Sequence, residues 1–176
     1  QFFSWAQTVV QSLIPHDMLF CAYGDQSLRT FRIDSFASEQ VPPETLAQMC
    51  HPSDGIMVKV ISTWREIGAA PVLACPKMNG QSHYARFQRD LERYKLTNLA
   101  AHGTPGAKES PDTYFCFCRV REPLSAKHAY MLEMLVPHLH VAFVRTLQHS
   151  VQDTSVRDLP FAEKLITERE VEVLHW

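Results

Sequence analysis

The sequence predicts an α+β fold, a five-stranded antiparallel sheet with helices on both faces. Its apolar patterns alternate between helical and strand spacing in the order α-β-β-α-α-β-α-β-β-α, with paired strands near both ends that suit hairpins. The length of 176 residues, with 45% hydrophobic and 20% charged residues, is typical of a single globular domain with a tail.

The first elements are a helix and a hairpin. Apolar residues recur at helical spacing over 2–14, and Pro15 ends this pattern. Apolar runs at 18–23 and 28–36 predict two strands, and Gly24–Asp25 between them predicts a turn. The hairpin gives the first helix a sheet face to pack against.

Two helices follow the hairpin. A short helix opens at Pro42–Pro43 and runs through Met49. A second helix starts at Ser53, and Gly68 ends it. The second helix is amphipathic, and its predicted buried face consists of Met57, Val60, Ile61 and Trp64.

The second half of the chain predicts three more strands. The strand at 71–75 lies between prolines, as edge strands often do, whereas the strand at 114–120 is apolar on both faces and therefore central. The remaining elements are a helix from about Tyr84 to Lys95, a strand at 99–102, a loop at 103–112, and a long helix that Ser125 caps and that continues to about Val151.

Charge and composition exclude several classes of protein. Seventeen Lys and Arg against nineteen Asp and Glu give a net charge of −2, too little positive charge for an autonomous DNA-binding domain. No apolar run approaches the ~20 residues that span a bilayer, so we expect no membrane contact. The five cysteines are an odd number without a C-x-x-C pair, which favours a reducing, cytoplasmic location.

A second unit is predicted near the end of the chain. Residues 152–164 have the composition of a linker, and Thr167 with Glu170 forms a capping box for a new helix. Ile166 and Val171 occupy the positions of a hydrophobic staple at the same helix start. A helix as short as the one that follows needs further partners for stability.

The same C-terminal segment carries a family resemblance. Residues 165–176, LITEREVEVLHW, resemble the first helix of the helix-turn-helix domain of LuxR-type bacterial transcription regulators, which typically reads L-T-x-R-E-x-E-V-L. Residues 135–143, LVPHLHVAF, resemble the stretch before the linker in such regulators, and 1–151 resembles their GAF-like or autoinducer-binding domains in its order of elements. The matched positions in the last segment are Thr167, Arg169, Glu170, Glu172, Val173 and Leu174.

The resemblance implies three regions in the chain. Residues 1–151 are a GAF-like sensing and dimerisation domain, 152–164 a linker, and 165–176 the truncated start of the DNA-binding domain. The recognition helix lies outside the chain, so we expect no DNA-binding residue within it. The group that the chain resembles best regulates exopolysaccharide operons. The implied effector is an unidentified small molecule, and we expect no cofactor.

Two helices carry more apolar surface than one sheet face covers, those at 1–14 and 126–151. A second copy of the chain is the partner that we expect to cover this surface, which predicts a homodimer.

Candidate ligand-binding residues come from two sources. Acyl-homoserine-lactone receptors of this family use an Asp before a helix and a Trp in or after it, to which Asp54 and Trp64 correspond. The match is incomplete, because Gly55 stands where Pro is usual and 44–51 lacks the expected Trp or Tyr. Each candidate also has an alternative role that needs no ligand. For Trp64 this role is packing in the core, and for Asp54 it is a negative charge that stabilises the first turn of the helix. The strands would add Tyr23, Phe31, Ile33 and Tyr114 as the floor of a pocket.

Catalysis and metal binding have little support in the sequence. His138 and His140 project ~200° apart on one helix and cannot share a metal ion. Cys116 and Cys118 share one strand face, which suits a redox switch or a soft metal, but buried packing is the favoured interpretation. Because no nucleophile motif or phosphate-binding glycine loop is present, we expect neither an enzyme nor a metal site. A ligand-free interaction module is the alternative to a sensor.

Overall fold

A computed structural model describes residues 2–25, 30–38, 41–76, 85–106 and 112–157 of the chain. In these residues the elements follow one another in the predicted order. They are α1 (Phe2–Leu13), β1 (Met18–Asp25), β2 (Thr30–Ala37), α2 (Pro43–Met49), α3 (Ile56–Glu66), β3 (Val72–Ala74), α4 (Ala85–Arg93), β4 (Leu99–Thr104), β5 (Asp112–Cys118) and α5 (Ala126–Arg157).

The five strands form one antiparallel sheet in the order β2-β1-β5-β4-β3. β5 lies at its centre and is buried at every position, as the two apolar faces of this segment predict. β3 is an edge strand, as its flanking prolines predict. The predicted fold class is confirmed.

The predicted turn at Gly24–Asp25 is wrong. Gly24 pairs with Phe31 on β2 and with Asp112 on β5, and Asp25 pairs with Thr30, so both residues belong to the strand. Pairing on both sides of β1 outweighs the local preference of Gly-Asp for a turn.

The loop predicted at 103–112 is shorter in the structure. β4 continues to Thr104 and β5 begins at Asp112, because Gly103 and Thr104 pair with residues of β5. At the other end β5 stops at Cys118, before the predicted Val120. Arg119 has a left-handed backbone, with φ of 54°, which ends the strand.

The helices form a layer on each face of the sheet. Residues Met18, Phe20 and Ala22 of β1 face the layer of α2, α3 and α4, where the largest cluster of buried apolar side chains lies. On the other face, Phe115 of β5 packs 5.8 Å from Phe143 of α5, measured between ring centroids. The apolar faces of α1 and α5 are therefore buried by alternate residues of the same strands.

The chain divides into two compact units, Gln1–Phe143 and Val144–Trp176. In the second unit, helix α5 continues to Arg157, into the range predicted as linker. Residues 148–157 contain neither Pro nor Gly, so nothing in their backbone interrupts a helix. The rest of the predicted linker and the predicted helix start at Thr167 and Glu170 lie outside the described residues.

Two properties of the helices bear on the sequence expectations. Within the residues that the structure describes, no helix combines the length and hydrophobicity that crossing a membrane requires.

Ser125 precedes the first residue of α5, as predicted, and its backbone N–H lies 3.3 Å from Nδ1 of His128. The side chain of His128 therefore acts as the acceptor that a Glu supplies in a capping box.

Asn98 holds the chain after β5 against the start of β4, and this contact yields a stability prediction. Its amide donates to the Val120 carbonyl at 2.9 Å and accepts from the Val120 N–H at 2.7 Å. Asn98→Ala leaves both buried backbone groups unpaired, so we expect the free energy of unfolding to fall by about 2 to 4 kcal/mol in urea titrations. Thr97→Ala, at the exposed neighbouring position, is the control; equal losses in the two variants would contradict this role.

Candidate ligand-binding site

The loop between α2 and α3 requires a glycine at position 55. A Cβ on Gly55 would lie 2.6 Å from the carbonyl oxygens of Met49 and His51, too close for any side chain. The departure from the Pro of the lactone receptors therefore has a steric cause. The loop packs tightly here and fixes the start of α3 at Ile56.

The last turn of α3 is closed by a Schellman motif. Gly68, with φ of 77°, donates its N–H to the Arg65 carbonyl at 3.1 Å, and Ala69 donates to the Trp64 carbonyl at 2.9 Å. The sequence predicted Gly68 as the end of this helix, and this prediction is confirmed. The motif fixes the backbone of Trp64 and Arg65, whose side chains form the site.

Trp64 lies in an aromatic cluster between α3 and the sheet. Its ring meets the ring of Tyr114 edge to face, with centroids 4.8 Å apart. Its indole N–H donates to Nδ1 of His102 at 3.0 Å, at a point where β4 extends past the last paired residue of β3. The cavity beside this cluster measures about 20 Å³, which is room for about one water molecule. The aromatic interior is essentially filled.

A larger cleft opens beside this filled interior, between β2, the α2–α3 loop and α3. Its volume of about 420 Å³ falls within the range of sites for small molecules. Apolar and polar side chains share its wall. They include Phe31 and Ile33 from β2, Pro52 and Ser53 from the loop, and Ile61, Ser62 and Arg65 from α3.

Arg65 connects the cleft to a buried polar cluster. Its Nε donates to the Tyr114 hydroxyl at 3.0 Å, and its Nη2 donates to Oδ2 of Asp112 at 3.4 Å. Its guanidinium carbon also lies 5.1 Å from the centroid of Phe31. Burial raises the pKa of Tyr114 to about 12, although the hydrogen bond and charge of Arg65 oppose this shift. Tyr114 is therefore a neutral hydroxyl that orients the guanidinium.

The structure brings together four of the six predicted ligand-binding residues. Trp64 and Tyr114 are in ring contact, Phe31 lies 5.6 Å from Tyr114 between centroids, and Ile33 lines both the small cavity and the cleft. Sequence reasoning missed Arg65, whose only signal is its position next to Trp64 on the amphipathic helix.

Tyr23 and Asp54 do not join these four residues. Tyr23 lies on the opposite face of the sheet, where its ring packs 5.6 Å from Phe143 between centroids. Asp54 precedes the N-cap of α3, has a side chain that is 79% exposed, and pairs with His51 at 2.6 Å. Its predicted first-turn position is therefore not seen, and its side chain is not among the described residues that line the cleft.

Two of the cysteines lie close together inside the sheet. Cys116 and Cys118 share one face of β5, as predicted, with their sulfurs 3.7 Å apart in the interior. The hydrogen bond to Cys118 and burial raise the pKa of Cys116 well above its usual value, which disfavours the nucleophilic thiolate. No group of three His, Cys, Asp or Glu among the described residues has the geometry to hold a metal ion.

No protein-family model matches the chain, and no curated protein matches its sequence. Similarity is found among solved structures. A GAF domain from Synechocystis, in its photoproduct state, is 12% identical with a TM-score of 0.57, over 84% of this chain and 94% of that domain. This similarity supports a GAF-like fold.

Two further structures share the fold. CepR2 from Burkholderia cenocepacia, described as an N-acylhomoserine lactone dependent LuxR family transcription factor, is 14% identical with a TM-score of 0.53, over 82% of this chain and 84% of CepR2. SdiA from Escherichia coli is 12% identical with a TM-score of 0.55, over 99% of this chain and 69% of SdiA. At these identities the similarity establishes the fold alone.

The bond between Trp64 and His102 predicts a pH-dependent contribution to stability. Burial lowers the pKa of His102 in the folded protein, although Glu133 opposes this shift. Protonation at Nδ1 removes the acceptor, so this contribution is complete above the unfolded pKa of about 6.5 and is lost as the pH falls through the lower folded pKa.

The measurement is the free energy of unfolding between pH 7.5 and pH 5.0. We expect His102→Gln, whose side-chain carbonyl can accept from Trp64 but does not titrate, to lose less stability over this interval than the wild type. Burial also lowers the pKa values of His16 and His140. Both residues are present in the variant and in the wild type, so their titration contributes equally to the two pH profiles. Parallel pH profiles for the two proteins would contradict the proposed titration.

Proposed function

We propose that this chain is the sensing and dimerisation region of a LuxR-family DNA-binding transcription regulator. The observation that supports it best is a cleft of ligand size on a GAF-like fold shared with CepR2, a lactone-dependent regulator of that family. The resemblance of 165–176 to the start of a helix-turn-helix domain supports the same proposal. The DNA-recognition helix then belongs to a part of the protein outside this chain.

The proposed mechanism is a shift between two arrangements of the sheet and its helices. A ligand in the cleft contacts β2 and α3, and Arg65 of α3 is bonded to Tyr114 of β5. The next residue, Phe115, packs against α5 on the opposite face. A ligand that binds one arrangement more tightly than the other would shift the population toward it. The position of α5, which leads toward the proposed DNA-binding part, would change as a result.

The proposed ligand is a small molecule other than an acyl-homoserine lactone. Gly55 replaces the Pro that the lactone receptors have, and residues 44–51 lack their aromatic position. Asp54, the counterpart of their ligand-binding Asp, pairs with His51 at the surface. The proposal includes no catalytic step and no cofactor, and it assigns the protein to the cytoplasm.

A ligand-free dimerisation module is the second candidate function, and an exposed apolar surface favours it. Tyr130, Met134 and Val141 of α5 are 64%, 57% and 47% exposed. With helical spacing they form one stripe on the side of α5 opposite its buried residues. On α1, Trp5, Val9 and Leu13 form a second exposed apolar row. A homodimer through these rows is part of both candidate functions.

The regulator proposal predicts a change in transcription. Disruption of the gene should change exopolysaccharide-synthesis transcripts several-fold, and the intact gene, but not a version encoding only 1–176, should restore them. RNA sequencing of the strains and fluorescence anisotropy of the intact protein on the operon's upstream DNA are the measurements. Unchanged transcripts together with no DNA binding by the intact protein would contradict the proposal.

The dimer proposal predicts that a charge introduced into the exposed apolar rows of α1 or α5 weakens the dimer. Val9→Glu and Met134→Glu each place a carboxylate in an exposed apolar row, so we expect the dimer dissociation constant to rise by about tenfold or more. Analytical ultracentrifugation measures it, and circular dichroism checks folding. Thr8→Glu is the matched control, because Thr8 is the exposed neighbour about 100° around α1 from Val9. A wild-type monomer, or equal effects of Thr8→Glu and Val9→Glu, would contradict the assigned surface.

A further inference from the structure

We propose that the cleft beside α3 selects a small molecule with a carboxylate group and a compact, partly apolar body, and that Arg65 pairs with the carboxylate. This inference rests on the proposed sensor function and specifies the ligand of the same cleft. It follows from the unused donors of Arg65, the charge of the cleft wall and the distribution of apolar side chains around it.

Arg65 has hydrogen-bond donors left after its contacts within the protein. Nε donates to Tyr114 and Nη2 donates to Asp112, whereas Nη1 has no hydrogen-bond partner among the described residues. The side chain is 26% exposed and lines the cleft. A guanidinium with one side free suits the two oxygens of a carboxylate, which can accept parallel N–H bonds.

The charge of the cleft wall also favours an anion. Arg65 is the one charged side chain among the described residues that line the cleft. Its partner Asp112 is not part of the wall, and Oδ1 of Asp112 accepts the N–H of Gly106 at 2.5 Å. Lys59, on the same helix, is paired with Asp90 at 2.6 Å and does not line the cleft. Among the described lining residues, an anion in the cleft therefore faces the Arg65 guanidinium and no carboxylate.

The guanidinium is held in place before any ligand arrives. The rings of Phe31 and Tyr114 lie 5.1 and 5.6 Å from its carbon, and the Tyr114 hydroxyl fixes its Nε. The backbone of Arg65 is fixed by its bond from Gly68 in the closed last turn of α3. Little side-chain freedom is lost on binding, which strengthens the interaction with an anion.

The remainder of the cleft offers both apolar and polar wall to the body of the ligand. Ile33, Val58 and Ile61 supply apolar wall, and Ser53 and Ser62 supply hydroxyl groups. The cleft, with a volume of about 420 Å³, accommodates a molecule of moderate size. The cavity of about 20 Å³ that Ile33 and Ile61 also line is too small for one. A free inorganic anion would leave this apolar wall exposed to water, so we expect it to bind weakly.

The test compares two probes that differ only in charge, 4-phenylbutyrate and 4-phenylbutyramide. Isothermal titration calorimetry with the full chain should show that the carboxylate binds about tenfold or more tightly than the amide, and that inorganic phosphate binds more weakly than either. In Arg65→Met, which keeps an apolar stem, carboxylate affinity should fall to that of the amide. Arg65→Lys should recover part of the difference, because it restores the charge without the planar fork.

Arg86→Met is the control variant. It removes an equal charge from α4, where Arg86 forms a solvent-accessible pair with Glu66 at the end of α3, and should leave carboxylate binding unchanged. Thermal unfolding of each variant checks the fold, and the wild-type comparison of carboxylate with amide does not depend on any variant. Equal affinity of the two probes, no carboxylate binding at millimolar concentration, or unchanged carboxylate binding in folded Arg65→Met would overturn the inference.

Failure of this inference is distinguishable from failure of the proposed function. If the amide binds as well as the carboxylate and a bulky Ser62→Trp in the cleft wall blocks both, the carboxylate preference is wrong and the cleft still binds a ligand. The transcript and DNA-binding measurements do not depend on the probes, so they test the regulator proposal separately.

Discussion

The complete burial of β5 is the constraint on which the rest of the structure depends. Adjacent residues of β5 face opposite helix layers: Tyr114 contacts Trp64 of α3, and Phe115 contacts Phe143 of α5. With both faces close-packed, neither side chain can move without displacing its own layer. One strand thus contacts Arg65 of the cleft wall on one face of the sheet and α5 on the other.

The division between a filled interior and an open cleft follows from this packing. The edge-to-face contact of Trp64 with Tyr114 and the bond from Trp64 to His102 occupy the space beneath α3. Arg65, the next residue, points its charge toward Tyr114, Asp112 and the cleft because a cation cannot enter the apolar cluster. The tight loop at Gly55 and the closed turn at Gly68 hold both ends of α3 in this position.

The candidate site was predictable where a residue's role follows from its local pattern. Phe31, Ile33 and Tyr114 were chosen because they lie on apolar strands, and Trp64 because it lies on an apolar helix face and corresponds to a Trp of the lactone receptors. Tyr23 was misplaced, since alternation along a strand shows that it faces away from Ala22 but does not show which face carries the cleft. Asp54 was chosen from its position before a helix, yet Gly55 is the N-cap and Asp54 pairs with His51 at the surface.

By itself, the sequence determined the order and kind of the elements, the central and edge strands, and the end of α3 at Gly68, because periodicity and backbone preference act over a few neighbouring residues. Only the tertiary structure decided that Arg65 meets Asp112 and Tyr114, which are 47 and 49 residues away along the chain. Their meeting requires β5 to lie beneath α3. Strand pairing across the whole sheet and burial of both its faces set that arrangement, and no local pattern encodes it.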